Sequence, residues 1–470
     1  MAEPPAAFLD RLGAIAGPGN LLTDPADCWT YGYDNSRRHV PPDVVAFITR
    51  EEQVRDCVRL CAEFGVPIVA RGRGTGTTGS SVPTHAGLVL ALERMARIVE
   101  MDPANRLMIV EPGVTNALVQ ERAAQHGFFW PPDPTSSAYC TVGGNIALNA
   151  GGPRAVKYGA TRDNILGLSA VTGAGEVIHT GTRTTKSAVG FDLTRLLVGS
   201  EGTLAIVTQA TLKLTPLPEA RRTLRAVYRD IRSATQAVVA IMTQSVTPSV
   251  LEFIDKSSID LIRRYARTQE PNGGAHELPS AAGALLIIEV DGMEAAMDTA
   301  TTAISQAARN DGLLEFASAR NNEDNAALWA TRKALSPALR TIAPNKLNED
   351  VVVPVSRIPE LIDALERLSR EYGIPIVNFG HGGNGNIHVN LLYDTQSPTQ
   401  EQNALPCLSH VFDTVLALGG TLSGEHGIGL AKRQYVDRAI DPATLALMRA
   451  IKQQFDPKGI LNPGKVFPDR

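Results

Sequence analysis

The chain has 470 residues, 43% of them hydrophobic and 20% charged, with a formal net charge of −4. That composition excludes a disordered chain, and the length calls for two or three domains rather than one core. The small negative balance gives no reason to expect nucleic acid as a partner, and no apolar run reaches the ~18–20 residues of a membrane span.

Five cysteines form no CxxC pair, and the odd number argues against a disulfide framework. Cys57 and Cys61, four apart on a predicted helix, read better as buried small hydrophobes than as metal ligands. The N-terminus lacks the basic and apolar regions of a secretory signal. A cytoplasmic enzyme, peripheral to a membrane at most, is the expectation.

In chain order, residues 1–40 read as a helical lead-in. Val44–Thr49 is an apolar strand, Glu51–Phe64 an amphipathic helix and Pro67–Ala70 a second strand. Gly87–Leu92 is a third. Arg97–Met101 and Leu107–Glu111 flank Asp102-Pro-Ala-Asn105 as a hairpin. Thr115 caps a helix to His126. Leu168–Thr172 and Glu176–Thr180 flank a Gly-Ala-Gly turn, and Leu204–Leu214 reads as a last strand pair. Leu214-Thr-Pro-Leu-Pro218 reads as a linker, dividing a domain of residues 41–217 from one of 218–467. In the second half, Ala284–Val290 is a buried strand. Helices are predicted over Ala295–Asn310, Asp324–Leu339, Ile358–Tyr372, Gln402–Leu418 and Pro442–Phe455. Val351–Val353, Pro375–Phe379 and Ile387–Leu392 are read as an antiparallel sheet with helices on one face, giving an α+β class.

Two glycine clusters carry chemistry. Gly74-x-Gly76-x-x-Gly79 matches a dinucleotide fingerprint literally, but Thr77-Thr-Gly-Ser-Ser-Val-Pro83 cannot start the helix that fingerprint needs. The crossover to Gly87 also reads as too short for a parallel βαβ unit. The loop can still hold phosphates, because successive N–H groups of a glycine turn form an anion-binding nest. Thr141-Val-Gly-Gly-Asn-Ile-Ala-Leu-Asn-Ala-Gly-Gly152 suits close approach to a flat polar ring system, or a tight packing corner. Downstream, His381 and His388 flank a Gly-Asn run, and Glu425 and His426 sit in a second glycine cluster. His381, His388 and Glu425 form a donor set with open positions, and His426 is a spare imidazole for acid–base work. Zinc leads, with manganese or iron(II) also fitting.

These motifs resemble the flavoproteins related to vanillyl-alcohol oxidase and p-cresol methylhydroxylase. The residues that carry the resemblance are Pro67–Gly76, Pro131–Ser137, Thr141–Asn145, Lys157-Tyr-Gly159 and Val198-Gly-Ser-Glu-Gly-Thr-Leu204. The histidine clusters and Phe455-Asp-Pro-Lys-Gly-Ile-Leu-Asn-Pro-Gly464 resemble the FAD-linked D-2-hydroxy acid dehydrogenase branch, which holds D-lactate and D-2-hydroxyglutarate dehydrogenases and the glycolate oxidase flavin subunit. The resemblance implies a PCMH-type two-subdomain FAD-binding domain, then an FAD-linked oxidase C-terminal domain with an antiparallel sheet covered by helices. By that resemblance, Arg71, Gly72, Arg73, Gly74, Thr75, Gly76 and Thr77 wrap the FAD pyrophosphate. Pro132, Asp133, Ser137, Thr141, Gly143, Gly144 and Asn149 line the flavin, Glu201 and Ile206 lie near the adenosine, and Asn462 reaches back to the ring. No histidine lies between Arg71 and Ser81, so non-covalent FAD is expected, with Cys140 a thiol packed near the ring.

The implied reaction is oxidation of a D-2-hydroxy acid, D-lactate first, to the 2-oxo acid. His426 is the general base, C2 passes a hydride to flavin N5, and the cation acidifies the hydroxyl. Arg332 is implied to hold the substrate carboxylate, with Ser336 one turn on, Asn390 steadying the alkoxide or a ligand, and Lys346 shifted from the family's lysine relative to Pro354. The electron acceptor stays open among quinone, cytochrome, electron-transfer flavoprotein and oxygen, and a homodimer is the prior. The alternatives are the 2-hydroxyglutarate and glycolate enzymes and, more distantly, a transferase of the alkyl-glycerone-phosphate synthase type.

Overall fold

The computed structural model describes residues 4–269, 278–319 and 321–469. The chain forms two compact units. One holds Met1–Gly152, Gly159–Leu217 and Glu425–Arg470; the other holds Pro153–Tyr158 and Pro218–Gly424. No helix among the described residues is long and apolar enough to cross a membrane.

The first unit begins with β1 (Leu21–Leu22), β2 (Val44–Phe47), β3 (Ile68–Arg71) and β4 (Leu88–Ala91), in the order β1-β2-β4-β3. Helix Glu51–Phe64 forms because Val54, Cys57, Val58 and Cys61 recur at helical spacing and are buried. Two glutamates occupy its first turn, and Gly65 ends it in the left-handed conformation. Cys57 and Cys61 are part of the unit's apolar core, and burial pushes the Cys57 thiol up to about 12. All five cysteines are free and buried.

Strands β3 and β4 run parallel, against the expectation that their connection was too short. Residues 72–87 join them without a helix. A four-residue strand spans only ~13 Å, so a loop of that length returns easily to the starting edge. The missing helix is what separates this turn from a dinucleotide fingerprint.

The unit continues with β5 (Ile98–Asp102), β6 (Leu107–Val110), β7 (Phe128–Phe129), β8 (Ile165–Thr172), β9 (Val177–Gly181), β10 (Ala205–Lys213) and β11 (Thr215–Pro216). Five of these make an antiparallel sheet in the order β5-β6-β10-β8-β9. The stretch expected to be a strand pair is the single strand β10, which has no turn residue inside it and pairs with both β6 and β8. Within the expected linker, Thr215–Pro216 pairs with Phe128–Phe129. The C-terminal segment folds with this unit. Ile68 N–H donates to the Ile460 carbonyl at 2.9 Å and the Ile68 carbonyl accepts from Asn462 N–H at 2.8 Å along the edge of β3, and Ile460 and Leu461 enter its core.

The second unit is a seven-stranded, wholly antiparallel sheet of β12 (Ala220–Tyr228), β13 (Val250–Asp255), β14 (Ala284–Gly292), β15 (Leu313–Ser318), β16 (Asn345–Val352), β17 (Ile376–His381) and β18 (Asn386–Tyr393). Its order is β15-β12-β14-β13-β17-β18-β16. Helices cover both faces rather than the single face expected. Ile254, Leu285, Val377 and Phe379 pack with helices Lys256–Gln269 and Asn322–Leu339. Tyr228, next to Val227 and so pointing the other way, donates its hydroxyl to Ala308 beyond helix Met297–Ala307.

Asp255 ends β13 with its carboxylate buried, accepting N–H bonds from Ser258 and Asn378. Burial raises its pKa from 3.8 to about 6, more than those bonds lower it. The folded state therefore binds the proton more tightly than the unfolded chain does. The stabilisation is complete below pH 3.8 and is lost as pH rises through about 6, on the order of 2–3 kcal/mol. Thermal unfolding of wild type and Asp255→Asn across pH 4–7 should show wild type losing stability relative to the variant as pH rises. Parallel curves would contradict this.

Candidate active site

In the first unit the two glycine clusters meet. A Cβ on Gly72 would strike the Thr141 hydroxyl, and one on Gly74 (φ +63°) would strike the Arg71 guanidinium. Thr141 caps helix Val142–Leu148 by accepting from Gly144 N–H at 3.2 Å, and Gly143 leaves no room for a side chain against Pro112. Asn35 holds the loop from outside, its N–H on the Gly76 carbonyl at 2.9 Å and its amide on Thr75 at 3.2 Å. Arg71 is buried, bonded to Ser81 Oγ, with its pKa lowered by that burial. Arg73 is exposed. Thr77 Oγ1 is buried without a hydrogen-bond partner among the described residues. An orphaned hydroxyl in a cradle that admits no side chain fits a polar, phosphate-bearing group.

Around that cradle, Pro132 accepts from Asn116 Nδ2 at 2.9 Å, and Asp133 N–H bonds Gly151 at 3.1 Å. The Ser137 carbonyl takes Ala117 N–H at 3.0 Å. Asn149, at φ +53°, ends the capped helix and accepts from Arg162 N–H at 2.9 Å. Cys140 is buried, which pushes its thiol up. Ile206 has its side chain in the core, leaving only its peptide to face a cofactor.

Glu201 has a structural task. Its buried carboxylate accepts from Ile428 N–H at 2.7 Å and Gly429 N–H at 2.9 Å, pinning the loop that follows His426. Asn462 Nδ2 bridges the carbonyls of Glu201 and Ser80, tying the C-terminal segment to the end of the glycine loop. Thr78 Oγ1 donates to the His426 carbonyl at 3.1 Å, so the same loop also anchors the proposed base.

In the second unit, register assembles the polar residues. His381 stands opposite Glu252 of β13, and Phe379 and Val377 stand opposite His388 and Asn390 of β18. Directly opposed residues share a face, so all six lie on one side of the sheet. The His381 and His388 rings meet edge to face at 5.2 Å between centroids. Asn390 uses both amide hydrogens on the carbonyls of Val377 and His388, at 3.1 and 3.2 Å. Its Oδ1 is buried without a hydrogen-bond partner among the described residues. Only an acceptor is left, which suits a hydroxyl or a cation rather than an alkoxide. Asn348, opposite Asn390 on β16, also has a buried Oδ1 lacking such a partner. Lys346 lies two residues before it, half-buried.

Arg332, on helix Asn322–Leu339, donates from Nε to Glu252 Oε2 at 2.6 Å and lies over the Phe379 ring at 4.6 Å. Ser336, one turn on, is exposed. The other Glu252 oxygen bonds His381 Nδ1. Burial alone would push the Glu252 carboxyl up, but His381 and Arg332 hold it down to about 2. Sequence reasoning missed Glu252. Its signal was a carboxylate in the middle of the otherwise apolar run Val-Leu-Glu-Phe-Ile, where a buried charge demands partners. Asp350, opposite His388, was missed as well. Its carboxylate takes the Ser423 hydroxyl and Gly424 N–H, both at 3.0 Å, and its carbonyl also takes Gly424 N–H at 2.9 Å.

Two family models match the chain: "FAD binding domain" over residues 42–181 and "FAD linked oxidases, C-terminal domain" over residues 217–466. The chain belongs to the FAD-linked oxidases. The glycolate oxidase subunit GlcD of Bacillus subtilis is 36% identical over 97% of this chain and 96% of its own. A D-lactate dehydrogenase of Archaeoglobus fulgidus is 34% identical over 98% and 99%. Substrate-bound p-cresol methylhydroxylase shares the fold, with a TM-score of 0.81 at 18% identity over 99% and 98% of the two chains. This FAD-linked oxidase is thus an oxidoreductase of the D-lactate dehydrogenase and glycolate oxidase type, with an α+β, PCMH-like fold.

The turn between the two histidines depends on one residue of this oxidase. Gly385 sits at φ +71°, and a Cβ there would collide with the Val353 carbonyl. Gly385→Ala should destabilise the protein by about 2 kcal/mol or more and shift the hairpin. Denaturant unfolding monitored by fluorescence checks this, and an unchanged midpoint would contradict it.

Proposed function

We propose that this chain oxidises a short D-2-hydroxy acid, D-lactate before others, to the 2-oxo acid, using a divalent cation held by His381, His388 and Glu425. The observation that carries the reading is the shared sheet face, where two imidazoles, an acceptor amide and an arginine converge. Two nitrogens and a carboxylate oxygen are the donors of an open catalytic site, fitting zinc first and manganese or iron(II) next. Chain continuity supports Glu425 as the third ligand. Gly424 is fixed to Asp350, the residue opposite His388, and Glu425 and His426 follow within two peptide bonds.

The bound groups would supply Lewis acidity at the substrate hydroxyl and an electron-pair acceptor for C2. The remaining work falls to this chain. Arg332, with Nε committed to Glu252, presents its terminal nitrogens to the substrate carboxylate. Asn390 Oδ1 accepts from the substrate hydroxyl or faces the cation. His426, held through its carbonyl by Thr78, takes the hydroxyl proton on its imidazole. In the first unit, Arg71–Thr77, Pro132, Asp133, Ser137, Thr141, Gly143, Gly144 and Asn149 hold FAD without a covalent bond.

The test is the anaerobic visible spectrum of the FAD-loaded protein before and after D-lactate, L-lactate, glycolate and D-2-hydroxyglutarate, added separately. Bleaching by D-lactate, slowed ~10²–10⁴-fold in His426→Gln, is the expected result. Bleaching by glycolate or D-2-hydroxyglutarate alone would move the substrate. Bleaching by none would overturn the reading in favour of a transferase.

A further inference from the structure

Glu252 touches both His381, a proposed metal ligand, and Arg332. Its side chain is 1% exposed, and its two oxygens are divided between His381 Nδ1 and Arg332 Nε. Arg332 also lies on Phe379, whose ring is 5.9 Å from that of His388, and His388 in turn meets His381. The five side chains therefore close a ring: Glu252, His381, His388, Phe379, Arg332. Four of them, Glu252, His381, Phe379 and His388, are set by strand register, so neither the His381 ring nor Arg332 can turn without breaking a contact.

We infer that Glu252 is a positioning residue that fixes His381 for the cation and Arg332 for the substrate carboxylate together, an inference that rests on the metal-dependent reading above. A carboxylate on Nδ1 selects the tautomer protonated there, with the lone pair on Nε2, orients the ring and raises its basicity as a ligand. The same carboxylate binds Arg332 through Nε and leaves the terminal nitrogens available. One buried charge thus couples cation binding to substrate binding.

Zn²⁺ binding to the FAD-loaded, chelator-stripped enzyme tests this without using turnover. Wild type, Glu252→Gln and Glu252→Asp are each titrated with Zn²⁺ against a chromophoric chelator, and flavin absorbance and melting temperature report whether each variant is folded. Glu252→Gln keeps the shape but loses the charge and one acceptor, so its Zn²⁺ affinity should fall about 10–100-fold while flavin content is retained. Glu252→Asp, which keeps the charge, should recover part of the loss and serves alone should the glutamine variant fail to fold. For D-lactate oxidation at saturating Zn²⁺, KM should rise more than kcat falls in Glu252→Gln. Equal Zn²⁺ affinity in wild type and the folded variants would overturn the role of Glu252. A wild type that takes up no Zn²⁺ would instead overturn the metal-dependent reading, a distinguishable failure.

Discussion

The pairing of β17 with β18 is the constraint on which the candidate site depends. The hairpin places Phe379 opposite His388 and His381 opposite Asn386, and β13 then brings Glu252 opposite His381. A slip of one residue would send each of these side chains to the opposite face. Two features guard the register. Gly385 occupies a left-handed conformation in the turn, and Asn386 donates its amide to the carbonyls of Asp350 and Val351 on the neighbouring strand. Chemistry that needs imidazoles held to a fraction of an ångström is therefore built on strands, joined by a glycine-containing turn.

Burying charge on one sheet face is tolerable because the carboxylates have defined partners. Glu252 is satisfied by His381 and Arg332, and Asp350 by Ser423 and Gly424. Apolar Ile254, Val377 and Phe379 alternate with these polar residues around the face and hold the covering helices. Against that background the Oδ1 atoms of Asn348 and Asn390, without a hydrogen-bond partner among the described residues, stand out. Leaving a buried acceptor unpaired costs about 1–3 kcal/mol, a loss that a bound donor or cation would recover. The first unit repeats the pattern on a smaller scale, with the Thr77 hydroxyl orphaned in a cradle of glycines.

Much of this was legible in the sequence where local chemistry decides. Helices Glu51–Phe64, Ile358–Tyr372 and Pro442–Phe455 agree with their expected bounds, because apolar spacing and glycine or proline end signals point the same way. Non-local pairing was less legible. Strands β12, β13 and β15 escaped notice, since the arginines of Ala-Arg-Arg-Thr-Leu-Arg and the carboxylates of β13 hide the strand pattern. The parallel run of β3 and β4 was misjudged because loop length was weighed without the shortness of the four-residue strands it has to span. Glycine spacing made the histidines conspicuous, whereas Glu252 acquires its meaning only when β13 is laid against β17.

The central claim, that this sheet face holds a catalytic cation, is tested most directly by anomalous diffraction from crystals of the holoenzyme grown with Zn²⁺, measured on both sides of the zinc edge. The account predicts one strong anomalous peak about 2.0–2.2 Å from a nitrogen of His381, a nitrogen of His388 and an oxygen of Glu425. A fully loaded crystal with no anomalous density at those side chains, or with zinc bound elsewhere alone, would contradict it.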